Sequence, residues 1–202
     1  MQIEPLFPQA VIGLNKIKVD RNKVLKYLQN IEFEMTGPAL KEKEAEGAYI
    51  SKNYNVFEDL DYLRDEIFNN IKNYLNNVMK LKTNFKFTTS WATKTIPNGY
   101  SQKHTHQNSF LSGVYYPIGN KDFKIKFYKK NNFWSIHPIE INNLNATWYS
   151  FNITENSVLI IFPSHLKHSV EKNLSSETRY SIAFNTLPLG EIGEADSKIN
   201  FK

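Results

Sequence analysis

Val158-Leu159-Ile160-Ile161-Phe162-Pro163-Ser164-His165-Leu166-Lys167-His168 is the stretch from which the fold can be read. Its apolar run is long enough for a buried strand and too short for a buried helix. Pro163 has no N–H to offer a ladder, so the strand ends there and the chain turns. His168 then opens the next strand, which predicts an imidazole at the mouth of a β structure.

Outward from this stretch the pattern repeats. Residues 85–96, 100–108, 110–117, 123–128, 147–153, 158–162, 168–172 and 179–186 are short alternating or apolar runs, each the length of a strand. Pro97-Asn98-Gly99 separates the first two as a tight turn, and residues 173–177 separate the last two. Upstream the period changes. Between residues 20 and 33, Val24, Leu25, Leu28 and Ile31 share one helix face, with Asp20 as N-cap. Between residues 57 and 79, Phe57, Leu60, Leu63, Ile67, Ile71, Leu75 and Val78 keep the helical period. Residues 36–55 carry Gly37-Pro38 and Gly47 and read as a loop with one short strand near Tyr49. Helices followed by a run of strands predict an α+β fold, a β-sandwich or jelly roll with the N-terminal helices packed on its outer sheet.

The 202 residues suffice for one domain, expected as a mainly helical part (1–82), a β core (83–187) and a C-terminal tail (188–202). Cys is absent, which excludes disulfides, thiolate metal sites, iron–sulfur clusters and any Cys nucleophile, so a metal must be held by His, Asp or Glu. The net charge of +5 comes from lysines spread along the chain and mixed with acids, as in Lys41-Glu42-Lys43-Glu44, so nucleic acid is not an expected partner. Neither a membrane span nor an export signal is evident, and the expectation is a soluble, cytoplasmic protein.

Of the five histidines, His104 and His106 lie in Gln102-Lys103-His104-Thr105-His106, read as a strand. Residues i and i+2 of a strand share a face, so the two imidazoles form a clamp that needs one more donor from a distant strand. The alternative is a pair of exposed surface histidines. His168 is the candidate third donor; His165 belongs to the turn, with a surface or supporting role, and His137 has no partner at ligand spacing. Eleven residues beyond His168 comes Arg179-Tyr180-Ser181. Arg179 and Ser181 share one face by alternation, while Tyr180, Ile182 and Phe184 share the other and should pack on the helices. If residues 172–178 close a hairpin with an even loop, Arg179 and Ser181 lie on the face of His168. A guanidinium there, with a hydroxyl two residues on, is a receptor for a carboxylate.

His104-x-His106, His168 and Arg179-x-Ser181 together resemble the iron(II)/2-oxoglutarate-dependent oxygenases, whose usual order is H-x-D or H-x-E, a distal His and then R-x-S. The likeness is greatest to a group of small oxygenases of marine bacteria and phages. It is carried by residues 103–116, by Ile160-Ile161-Phe162-Pro163-Ser164 with His168, and by Arg179-Tyr180-Ser181-Ile182-Ala183-Phe184-Asn185. The resemblance implies a double-stranded β-helix of the cupin-like kind, and oxidative decarboxylation of 2-oxoglutarate with O2 coupled to hydroxylation of a second substrate. It makes His104, His106 and His168 the ligands of Fe(II). Arg179 becomes the partner of the distal carboxylate of 2-oxoglutarate, with Ser181 assisting; Asn185 matches a motif position without an assigned role. A phage-encoded member would work in the host cytoplasm.

The chain departs from the pattern at His106, where most members have a carboxylate. Three neutral imidazoles leave the site at the full +2 of Fe(II), a charge that a dianionic co-substrate could offset. The departure keeps open a cupin-like three-histidine dioxygenase or isomerase that does not use 2-oxoglutarate, and a metal-free jelly-roll binding module. Thr154-Glu155-Asn156-Ser157 stands where a Gly-containing turn is expected. Trp91, Tyr100, Tyr115 and Tyr116 are candidates for enclosing the site. The primary substrate, whether a peptidyl side chain, an amino acid, a metabolite or an alkylated base, is not written in these motifs.

Overall fold

The computed structural model describes residues 12–35, 47–129 and 147–202. Among them, strand β1 (Gly13–Lys16) leads to helix α1 (Arg21–Asn30), then to β2 (Phe33–Met35) and β3 (Ala48–Ser51). Helices α2 (Val56–Asp59) and α3 (Asp61–Asn73) follow, and α3 runs into a π-helical turn, Tyr74–Val78. The remaining strands are β4 (Asn84–Thr95), β5 (Ser101–His104), β6 (Leu111–Tyr116), β7 (Lys124–Tyr128), β8 (Trp148–Asn152), β9 (Val158–Pro163), β10 (His168–Val170), β11 (Arg179–Ile192) and β12 (Ile199–Phe201).

The two sheets are interleaved along the chain. A major sheet has the order β1-β9-β6-β11-β4-β3-β2, with β12 paired to β11, and a minor sheet has the order β5-β10-β7-β8. From β4 onward the chain passes from sheet to sheet, visiting the minor sheet at β5, at β7–β8 and at β10. That winding is the double-stranded β-helix, and all eight expected strand runs form its strands. Alternation supplies the layers. Leu111 and Tyr115 of β6, Leu159 and Ile161 of β9, and Ile182 and Phe184 of β11 pack with Val24 and Leu28 of α1 and with Leu63, Ile67 and Ile71 of α3. The opposite residues, Val114, Tyr116, Val158, Ile160 and Phe162, meet Phe123, Ile125 and Phe127 of the minor-sheet side inside the sandwich.

Local chemistry sets the helix ends. The Asp20 carboxylate accepts from the amides of Asn22 (3.1 Å) and Lys23 (3.2 Å), the cap read from sequence. The π turn buries Tyr74 and Leu75 but leaves Val78 52% exposed, so the helical period that placed Val78 on the buried face fails at the last turn. In the segment where a glycine is expected, Ser157 takes the left-handed conformation itself, at φ 61°.

Three readings of organisation change. The N-terminal part holds more strand than expected: the short strand near Tyr49 is β3, paired with β4, but β1 also pairs with β9 and β2 extends the edge beyond β3. The tail is partly strand, because β11 continues to Ile192 and β12 returns along it. Most important for the site, residues 172–178 do not close a hairpin. β10 pairs with β5 and β7, whereas β11 pairs with β4 and β6, so the chain crosses from one sheet to the other between them. Pro97-Asn98-Gly99 makes a similar crossing, held by Gly99 N–H donating to Ile96 O (2.9 Å) and Asn98 N–H to Asn173 O (2.7 Å).

One glycine is dictated by packing. A Cβ at Gly113, on β6 at the centre of the major sheet, would stand 2.2 Å from Phe184 Cζ and 2.7 Å from Ile160 O. Gly113→Ala is expected to destabilise the chain by roughly 1–3 kcal/mol, since the aromatic ring and a neighbouring strand must both give. Chemical denaturation of the variant beside wild type checks this.

Candidate metal centre

The site forms where the minor sheet ends. His104 is the last residue of β5 and His168 the first of β10, and they are direct cross-strand partners. Their rings are 4.3 Å apart. His106 lies beyond the strand, so the H-x-H pair does not share a strand face as its spacing suggested. It is brought back by its own amide, which donates to Ser164 O at 3.0 Å. The outcome for chemistry is the one expected: one ring nitrogen from each of His104, His106 and His168 lies within 4.8 Å of the others. His106 Nε2 and His168 Nε2 are 3.3 Å apart. Two imidazole nitrogens each about 2.1 Å from one ion, at right angles, would stand about 3 Å apart, so this separation suits a shared metal.

Hydrogen bonds select the donor atoms. His104 Nδ1 faces Gln102 O at 2.8 Å and His168 Nδ1 faces Leu166 O at 2.9 Å. A carbonyl can only accept, so each Nδ1 carries the proton and each Nε2 keeps its lone pair for a metal. Burial, with the neighbouring His104, pushes the pKa of His106 down to about 4 and that of His168 to about 3. Both rings are therefore neutral at pH 7, the protonation state that ligates. Phe162 and Phe127 pack on His168 with ring centroids 4.7 and 5.8 Å away, and Trp91 lies 5.6 Å from His106. His165, on the turn, is exposed. His137 lies outside the described residues.

Arg179, the first residue of β11, is 2% exposed. Both terminal nitrogens donate to one acceptor, Glu171 O, at 3.4 and 3.3 Å, and the guanidinium lies 5.4 Å from the Phe123 ring centroid. Among the described residues no carboxylate is within ion-pair distance of it. Burial lowers its pKa, but a guanidinium keeps its proton, so a charge with unspent N–H donors sits inside the sandwich. Ser181 shares the face, and its hydroxyl meets that of Thr93. In place of the expected hairpin, Arg179 faces inward from the major sheet, across the sandwich from the minor sheet that carries His168.

Of the aromatic candidates, only Trp91 adjoins the histidines. Tyr115 belongs to the helix-side core, Tyr116 is buried in the sandwich, and Tyr100 is 40% exposed. Tyr100 lines a groove of about 480 Å³ on the outer face of the minor sheet, with Lys103, Lys124, Tyr128 and Lys172, separate from the triad. Sequence reasoning missed Thr93 and the Glu171 carbonyl, because a cross-strand neighbour appears only once the strands are paired.

Residues 89–185 match the profile of the family described as "Putative 2OG-Fe(II) oxygenase". No curated protein matches the chain. The fold is similar to that of HygX from Streptomyces hygroscopicus, solved with nickel, 2-oxoglutarate and hygromycin B bound. The TM-score there is 0.61 at 9% identity, over 91% of this chain and 85% of that one. A prolyl hydroxylase from Trichoplax adhaerens, in complex with a hypoxia inducible factor oxygen degradation domain peptide fragment, gives 0.60 at 13% identity, over 87% and 82%. A 2OG-Fe(II) oxygenase family oxidoreductase from Burkholderia pseudomallei gives 0.56 at 10%, over 82% and 76%. At these identities the likeness speaks for the fold alone. The matched segment contains every side chain of the site, and over it this chain is similar to the iron(II)/2-oxoglutarate-dependent oxygenases.

Proposed function

We propose that the protein is a dioxygenase that hydroxylates a second substrate while 2-oxoglutarate is decarboxylated to succinate. In this reading His104, His106 and His168 hold Fe(II), and Arg179, assisted by Ser181, receives the distal carboxylate of 2-oxoglutarate. The observation that carries it is the pairing of three lone-pair imidazoles with a buried guanidinium that has no carboxylate partner among the described residues.

When bound, Fe(II) supplies the open coordination positions and one-electron chemistry that O2 and a 2-oxo acid require. The protein's own residues do the rest. Leu166 O and Gln102 O hold two imidazoles in the tautomer that presents Nε2. Trp91, Phe127 and Phe162 wall the histidines with apolar surface and keep water from the reacting atoms. Three neutral ligands leave the ion at +2 and Arg179 adds a further positive charge, a balance that a dianion such as 2-oxoglutarate answers.

We take residues 1–202 as one oxygenase domain working in a cytoplasm, where Fe(II) and 2-oxoglutarate are supplied. Its primary substrate is a peptide, an amino acid or a small metabolite; neither nucleic acid nor membrane is an expected partner. The dispersed lysines support this, and among the described residues no helix is long and apolar enough to cross a membrane.

Anaerobic titration of the Fe(II)-loaded protein with 2-oxoglutarate tests the reading. A weak visible charge-transfer band saturating at one 2-oxoglutarate per chain is expected. Metal binding with no such band would instead favour a three-histidine dioxygenase that does without 2-oxoglutarate, the alternative suggested by His106. No metal binding at all would leave a jelly-roll binding module.

A further inference from the structure

Inside the sandwich, beside the triad, a row of small polar side chains crosses the major sheet. Thr89 of β4 is the register partner of Asn185 of β11, and Asn185 is the partner of Ser112 of β6. Ser112 stands beside the end of β9, where Ser164 follows Pro163. Their side chains are bonded in that order. Asn185 Nδ2 donates to Thr89 Oγ1 (3.2 Å), Ser112 Oγ donates to Asn185 Oδ1 (2.7 Å), and the hydroxyls of Ser112 and Ser164 are 2.8 Å apart. Ser112 has one hydroxyl proton and gives it to Asn185, so Ser164 donates to Ser112. The row has a single direction, and Asn185, whose amide has its acceptor and its donors fixed on different atoms where a hydroxyl can rotate, orients it.

The far end of the row holds the loop that carries a metal ligand. Ser164 is fully buried, and its backbone clamps both ends of residues 106–110: its carbonyl accepts from His106 N–H at 3.0 Å and its amide donates to Phe110 O at 3.1 Å. His106 has no strand of its own to fix it, and its ring lies against the two other histidines, Trp91 and Phe162. Its distance from His168 therefore depends on where Ser164 sits. Buried hydroxyls cost stability unless bonded, and apolar side chains could fill these places, so the row's use lies in geometry.

We infer that Asn185 is a positioning residue, which through Ser112 and Ser164 holds the His106 loop at metal-binding distance from His168. This rests on the three-histidine reading of the site. It gives the Asn at the end of Arg179-x-Ser181-x-x-x-Asn185 a role at the metal end of the pocket rather than at the carboxylate end.

Calorimetric titration with Co(II), the Co(II) visible spectrum, and amide hydrogen exchange of the metal-free chain test the inference. In Asn185→Ala and in Ser164→Ala, Co(II) affinity is expected to fall about tenfold, the usual effect of removing a residue that supports a metal ligand. The Co(II) bands should shift in both variants, and the His106 amide should exchange faster. The double variant should lose no more than the worse single one, because the two act through one relay. Thr89→Val keeps the shape and removes the hydroxyl that Asn185 binds; a loss of about threefold is expected, which keeps the test usable if an alanine variant does not fold. Affinities within twofold of wild type with an unchanged spectrum would overturn the inference, as would losses that multiply in the double variant. A wild-type chain that bound no Co(II) would overturn the reading of the site instead, while His106 exchange in the metal-free chain still decides the role of Asn185.

Discussion

His168→Ala is expected to abolish stoichiometric iron binding and, with it, all turnover. His168 is 4% exposed, donates Nδ1–H to Leu166 O and lies against Phe162 and Phe127, so its Nε2 is held rigidly toward His106 and His104. Losing a supporting residue of a metal site commonly costs 10–100-fold in affinity, and losing one of three ligands should cost at least about hundredfold. The fold should survive. The variant leaves a small cavity beside two aromatic rings, a cost of roughly 1–3 kcal/mol, in a chain whose other core residues are untouched. Metal analysis of anaerobically loaded protein should show one iron per chain in wild type and none in the variant after desalting. His165→Ala is the control, because that imidazole is three residues away and exposed, and it should bind iron like wild type. Full iron occupancy in His168→Ala would remove His168 from the site.

Arg179→Ala is expected to weaken 2-oxoglutarate binding by about thirtyfold or more and to leave iron binding intact. The magnitude follows from where a charge would be stranded. If Arg179 receives the distal carboxylate, as proposed, that carboxylate meets a buried guanidinium whose hydrogen bonds within the protein go to one carbonyl, Glu171 O. Without it, a carboxylate buried in the same place is desolvated and unpaired, a loss of roughly 2–5 kcal/mol, at about 1.4 kcal/mol per factor of ten in affinity. Arg179→Lys should recover only part, because an ammonium keeps the charge but not the planar two-donor fork. The apo protein gives a second signature. Removing an unpaired buried charge relieves its desolvation, which offsets the packing lost over Phe123, so Arg179→Ala should melt within a few degrees of wild type. An arginine with only a structural role predicts the reverse, a destabilised apo protein with unchanged 2-oxoglutarate affinity.

Both predictions concern side chains visible in the sequence, and the reason is local. A strand's alternation and a helix's period are properties of adjacent residues, so the eight strand runs, the two helical faces, the Asp20 cap and the inward set of Arg179 and Ser181 could be read without knowing what they pack against. Absence of Cys restricted the metal ligands to His, Asp and Glu, and the spacing of the histidines singled out three of them.

Pairing is different. Which sheet a strand joins depends on backbone groups far away in the chain, and no local pattern records them. β10 and β11 are neighbours in sequence yet lie in different sheets, so the parity argument that set Arg179 opposite His168 had a false premise, and what puts Arg179 inside the sandwich is its own sheet. Strands as short as Phe33–Met35 and Gly13–Lys16 carry too few alternations to be noticed, and they exist because β3 and β9 offer open edges. His106 shows the same division most plainly. Its identity and spacing were legible, but its place in the site is not set by a strand face; a hydrogen bond to Ser164, fifty-eight residues on, brings it to the metal centre, and only the tertiary fold could supply that bond.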